Sequence, residues 1–220
     1  MSNLVIVGDS FCSNKTAWPK TLANLVDMNL ICHGASGQHW WSAKEFIESM
    51  SAADIENTEF MILVHTFSQR IPSTKFNPTM HNIYDLDETN EEQLAIKLYY
   101  KYICNDKFMD WAQQAWFKEV ALRWPHIKII NLHSFPWSIE SQNLLPGMKI
   151  TPCLASISLN ELGASDDNLT NDTRANHFNK YNNVELAMQL AFKINNYREG
   201  TVELDTSKFQ MKTSYWFNWH

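Results

Sequence analysis

The chain has 220 residues, 45% hydrophobic and 19% charged, which suits one globular domain with a full core. Its net charge is −6 at pH 7, and no run of Lys and Arg stands against that balance, so composition argues against a nucleic-acid partner. No segment approaches the roughly 20 apolar residues that span a bilayer, and MSNLVIVGDS lacks the basic and apolar regions of a signal peptide, which points to a cytoplasmic protein.

Residues 4–7 are an unbroken, mostly β-branched apolar run and predict a strand buried on both faces. Gly8-Asp9 ends it, and Ser10 follows. A helix is expected near 18–27, with Pro19 in its first turn and Leu22, Leu25 and Val26 on one face. Residues 28–32 read as a second strand, running into a loop that carries Gly34 and Gly37. Trp40, Ala43, Phe46, Ile47 and Met50 recur at helical spacing over 40–51. Residues 60–64 form the third strand, followed by the polar segment His65-Thr66-Phe67-Ser68-Gln69-Arg70.

Residues 71–90 are irregular and acidic in part, a length that suggests a lid or binding loop. From 91 to about 124 the pattern is helical, with Asp106 placed to cap a second helix. Leu94, Leu98, Tyr102 and Ile103, continued by Phe108, Trp111, Ala115 and Val120, are expected to be its core face. Residues 127–132 are the fourth strand, and a fifth strand or short helices should lie within 149–162. The last helix, 179–197, is expected to turn Val184, Ala187, Met188, Ala191 and Phe192 inward. Strands alternating with helices predict an α/β fold, a three-layer α/β/α sandwich around a mainly parallel, flavodoxin-like sheet of about five strands. It should occupy residues 1–199. Residues 200–220 form an aromatic tail expected to dock on this domain or on a neighbouring copy as a homo-oligomer contact. Cys12, Cys32, Cys104 and Cys153 are scattered, without a CxxC pair, and read as free buried thiols.

Four segments should meet at one sheet edge: 8–12, 33–38, 66–70 and 171–178. A serine nucleophile needs a base, and the base needs an acceptor that fixes its tautomer. Ser10, His177 and Asp172 supply the three types. Ser10 reads equally as turn punctuation, and His177 as a helix N-terminal or core histidine. His33, His39 and His65 lack metal-ligand spacing, so no metal is expected. Arg70 and Arg174 suit either an anion clamp or structural ion pairs.

GDSF after the first strand, a glycine-bearing loop after the second and a late Asp–His before the last helix resemble the SGNH (GDSL-type) hydrolase superfamily. GDSF together with DxRxNHF is most similar to divergent members found in tailed phages, for which host cytoplasm or the virion is the expected location. The α/β-hydrolase elbow GxSxG does not fit, because Cys12 stands where its second glycine belongs. The resemblance implies a serine ester hydrolase without cofactor, acting on a small acyl ester such as O-acetyl on a carbohydrate. In it Ser10 is the nucleophile, His177 the base and Asp172 its orienting acid. Oxyanion donors would be the Ser10 N–H, the N–H of Gly37 or Gly34, and an Asn side chain after strand three. The sequence departs there: HTFSQR has no Asn, which leaves Ser68 or Gln69 as donor, with Arg70 beside them for substrate. Asp172 also lies five residues before His177, further than in the usual Asp-x-x-His, so Asn176 is a second candidate for orienting the ring. The missing Asn and the aromatic tail motivate an alternative, a catalytically weak or inactive SGNH-like domain that binds a glycan or a protein partner, for example in a phage particle.

Overall fold

A computed structural model describes residues 1–35, 37–70, 86–135, 145–157 and 178–210. Strands β1 (Asn3–Gly8), β2 (Asn29–Gly34), β3 (Thr58–His65), β4 (Lys128–His133), β5 (Met148–Thr151) and β6 (Gly200–Glu203) form one sheet in the order β2-β1-β3-β4-β5-β6. Every neighbouring pair is parallel. The sheet thus has six strands rather than about five. The additional one, β6, comes from the segment expected to be tail: Val202, Leu204 and Phe209 are core residues. Residues 211–220 lie outside the described residues.

Strand alternation divides the core in two. Leu4 and Ile6 of β1, Phe60, Ile62 and Val64 of β3, and Ile130 and Leu132 of β4 face one side. There they meet α1 (Trp18–Leu25) through Trp18 and Leu22, and α6 (Lys180–Asn195) through Leu186, Leu190 and Ile194. Val5, Val7, Met61, Leu63 and Ile129 face the other side, covered by α2 (Trp40–Ser49), α3 (Ala52–Glu56) and α5 (Asp106–Arg123). Helix α4 (Glu91–Tyr102) buries no residue at all.

Three helical faces differ from expectation. Leu98, Tyr102, Ile103, Phe108 and Trp111 are exposed, and α5 packs instead through Gln113, Trp116, Phe117 and Val120. In α6 the buried face is Leu186, Ala187, Leu190, Ala191 and Ile194, leaving Val184, Met188 and Phe192 exposed. Leu25 of α1 is exposed as well.

The first strand has its neighbours β2 and β3 on opposite sides, so the chain reverses direction across the sheet at β1. Open α/β sheets place ligands at such a point, outside the carboxyl ends of the strands. Glycines let the chain close there. Gly8 and Gly34 are register partners on β1 and β2. A Cβ on Gly8 would stand 2.4 Å from the Val64 carbonyl oxygen, and one on Gly34 2.6 Å from Cys12 Sγ.

Candidate active site

Asp9 is wholly buried directly after β1. Its Oδ1 accepts from the Phe11 N–H (3.1 Å), which caps the single 3-10 turn Ser10–Cys12, and from Ser134 Oγ (2.8 Å). Its Oδ2 lies 3.6 Å from an Arg70 guanidinium nitrogen. Ser10, 6% exposed, opens the turn, and its carbonyl accepts from both the N–H and the hydroxyl of Ser13. Trp18 Nε1 donates to the Phe11 carbonyl (2.7 Å) and pins the turn to α1. A serine is thereby held at the carboxyl edge of β1 on a backbone with few ways to move.

The loop after β2 reaches the same place. Gly37 has φ +69°, in the left-handed region that favours glycine. The next residue, Gln38, accepts an Arg70 hydrogen bond on its carbonyl (3.0 Å). His33 is the penultimate residue of β2 and stacks on Phe46 with ring centroids 4.5 Å apart. Burial, aided by Lys15, lowers its pKa. His39 caps α2 by accepting the Ser42 N–H on Nδ1. His65 is the last residue of β3 rather than part of a loop. No three His, Cys, Asp or Glu among the described residues are grouped to hold a metal.

The loop after β3 is fastened from outside by two helices. Ser68 Oγ donates to the Asp110 carboxylate of α5. Tyr100 of α4 donates its hydroxyl to the Gln69 carbonyl (2.6 Å), and Gln113 of α5 donates to the Thr66 carbonyl (3.4 Å). Ser68 is buried and Gln69 half-buried. Arg70 is buried between loops one and two, contacting Asp9 and Gln38, with its guanidinium 5.5 Å from the Phe135 ring centre. Burial lowers its affinity for the proton and Asp9 opposes this; a guanidinium keeps its charge at neutral pH in either case.

Ser134 and Phe135 complete the edge and were not singled out in the sequence. The only signal was their position immediately after strand four, in a stretch whose prolines obscured the pattern. Besides its bond to Asp9, Ser134 takes part in two backbone bonds: its N–H donates to the His65 carbonyl and its carbonyl accepts from Ala155. Phe135 stacks on Phe67 (4.5 Å, 7° between planes) and meets Phe11 edge-on (6.0 Å).

Beneath the edge, His65 and His133 are register partners on β3 and β4, their rings 5.0 Å apart. His65 Nε2 pairs with Asn131 Oδ1 (2.8 Å); the Asn131 amide donates to the Pro146 and Met148 carbonyls, so His65 is the donor. Burial pushes His65 down to about 4, against the opposing bond to Asn131. Burial and the neighbouring His65 push His133 well below its ordinary value.

Of the predicted site residues, the structure places Ser10, Gly37, Ser68, Gln69 and Arg70 on segments that follow the strands at one sheet edge, with Gly34 ending β2 there. Asp172, His177, Asn176 and Arg174 lie outside the described residues, as does most of 71–90. The chain returns to view at Phe178, which is buried and packs on Phe11 with ring centroids 5.6 Å apart.

No family model and no curated protein matches this chain. Among solved structures it is similar to a GDSL-like lipase from Parabacteroides merdae, at 12% identity and TM-score 0.39 over 61% of this chain. It is similar to a lipolytic protein of the G-D-S-L family from Desulfitobacterium hafniense, at 14% identity and TM-score 0.45 over 87%. It is also similar to the acetylxylan esterase Axe2 from Geobacillus stearothermophilus, at 10% identity and TM-score 0.39 over 93%. The chain spans 60%, 99% and 75% of their respective lengths. This chain is an all-parallel α/β protein that carries a serine on a G-D-S turn at the carboxyl edge of its first strand.

Proposed function

We propose that the chain is a serine hydrolase of small acyl esters. The observation that carries this reading is the Ser10 turn. It is fixed by a wholly buried Asp9, and the loops after β2 and β3 are joined to it through Arg70. The contact of Phe178 with Phe11 supports it further, because it brings the residue next to His177 beside the residue next to Ser10.

In the reaction, His177 takes the Ser10 hydroxyl proton as Oγ attacks the acyl carbonyl, with Asp172 orienting the ring. The tetrahedral oxyanion accepts from the Ser10 and Gly37 N–H groups. Ser68 commits its proton to Asp110, so Gln69 supplies the third donor, and the Arg70 charge adds to the field. The alcohol then leaves with the proton held by His177, and water releases the acyl group by the same steps in reverse. Gln38, Gln69 and Arg70 make this edge polar, which suits a short acyl group on a polar alcohol, as in an O-acetylated sugar, better than a long-chain lipid. The commitment of Ser68 to Asp110 favours one alternative, a binding module with a weakened site.

A fluorophosphonate probe separates the two. The folded chain should take up one probe per molecule, and Ser10→Ala none. Folded wild type that stays unlabelled overturns the hydrolase reading and leaves the binding module.

A further inference from the structure

Two cysteines stand beside the serine turn, and nothing in the proposed hydrolysis uses them. Cys12 closes the 3-10 turn, two residues after Ser10; Cys32 lies on β2, an outer strand of the sheet. Both are free and buried in the same apolar cluster. Their contacts cross over. Cys32 Sγ donates to the Cys12 carbonyl (3.4 Å), while Cys12 Sγ lies 3.4 Å from the Asp9 carbonyl and 3.9 Å from that of His33, next to Cys32. Each thiol thus lies against the backbone at or beside the other cysteine. Gly34 keeps this approach open, since a Cβ there would collide with Cys12 Sγ. The other two cysteines are differently placed: Cys153 pairs with the Ser156 hydroxyl (2.9 Å) and Cys104 with Asp106 (3.7 Å).

We propose that Cys12 and Cys32 are a dithiol modification site that a hydroperoxide closes to a disulfide, tying the serine turn to strand β2. Their acidities divide the roles. The neighbouring Cys12 side chain, helped by Lys15, holds the Cys32 thiol below its ordinary pKa in spite of burial, whereas Cys12 is pushed above it. Cys32 is therefore the sulfur that ionises and attacks. Its thiolate displaces hydroxide from hydrogen peroxide: an S–O bond forms, the O–O bond breaks, and Cys32 becomes a sulfenic acid. The Cys12 sulfur then attacks that sulfur. The S–S bond forms, the S–O bond breaks, and the departing hydroxide joins the Cys12 proton as water. In sum, two thiols are oxidised and one peroxide is reduced to two waters. This site stands whether or not Ser10 is a nucleophile.

The test treats the full chain with hydrogen peroxide at neutral pH, alkylates it in denaturant without reductant, and maps tryptic peptides. Cleavage after Lys15, Lys20 and Lys44 places Cys12 and Cys32 on separate fragments. A linked pair of those fragments, lost on dithiothreitol treatment, is expected, with Cys104 and Cys153 still alkylated at the same dose. Dimedone should trap a sulfenic acid at Cys32 in Cys12→Ser but not in wild type. The proposal is overturned if both thiols stay alkylated while Cys104 oxidises, if Cys32 passes to sulfinic acid unlinked, or if either joins a different cysteine. The wild-type map decides the matter even if the variant fails to fold.

Discussion

Arg70 and Asp9 are two charges removed from water together, 3.6 Å apart. Removing one partner of such a pair leaves the other stranded, at a cost of about 3–5 kcal/mol. Arg70→Met should therefore lower the urea-unfolding free energy by that amount. In the Arg70→Met background, Asp9→Asn should cost much less than it does in wild type; equal costs in both backgrounds would show the two are not coupled. Immediately before Arg70 in the loop, Ser68 and Gln69 should behave oppositely. Ser68→Ala should reduce stability by roughly 1–3 kcal/mol, because Asp110 loses its donor, and leave the rate of ester cleavage little changed. Gln69→Ala should leave stability nearly intact and slow cleavage by about 10²–10³, the usual effect of one lost oxyanion donor. The reverse pattern in kcat and urea midpoint would return the donor role to Ser68. The three polar types expected after strand three were visible in HTFSQR, but which of them is free to act was not. The engagement of Ser68 depends on Asp110, 42 residues further along the chain.

Strand ends and helix faces divide differently between what sequence shows and what it hides. The central strands are legible because a strand covered on both faces favours a continuous apolar run; 4–7 and 60–64 have one, and 127–132 keeps four apolar residues of six. β6 was hidden because Gly-Thr-Val-Glu is an outer strand with one buried side chain, Val202. The aromatic stripe of α4 and α5 misled because periodicity marks an apolar face without saying what covers it; Tyr102, Ile103, Phe108 and Trp111 are at least half exposed. At the β3 and β4 ends, His65 and His133 make a measurable difference. Their folded pKa values lie below the unfolded 6.5, with His65 at about 4. Between those values the unfolded chain binds more protons, so this contribution is fully present above pH 6.5 and is lost as pH falls toward 4. For His65 alone it amounts to about 3 kcal/mol. Unfolding free energies at pH 7, 6 and 5 should decline, and His65→Gln should flatten the decline. A slope that His65→Gln leaves unchanged would remove His65 as its source.

The sheet separates two cores, one against α1 and α6 and one against α2, α3 and α5. Leu190→Ala in the first and Phe117→Ala in the second should each cost about 2–5 kcal/mol. Their effects should add within about 0.5 kcal/mol, since they share no partner; a larger deviation in urea unfolding would mean that the strands transmit strain between the layers. One asparagine has a wider consequence. Asn182 of α6 donates to the Ile157 carbonyl and also bonds both the N–H and the carbonyl of Gln210. Its neighbour Asn183 donates to the Phe178 carbonyl. The chain thus departs at Ile157 and re-enters at Phe178 from two posts on the same helical turn. A span with its ends already held together can be lengthened or exchanged at small entropic cost. Foreign sequence inserted after Ile157 and ahead of Asp172 should accordingly leave the fold intact, with α6 untouched as the mount, and an unchanged urea midpoint checks this.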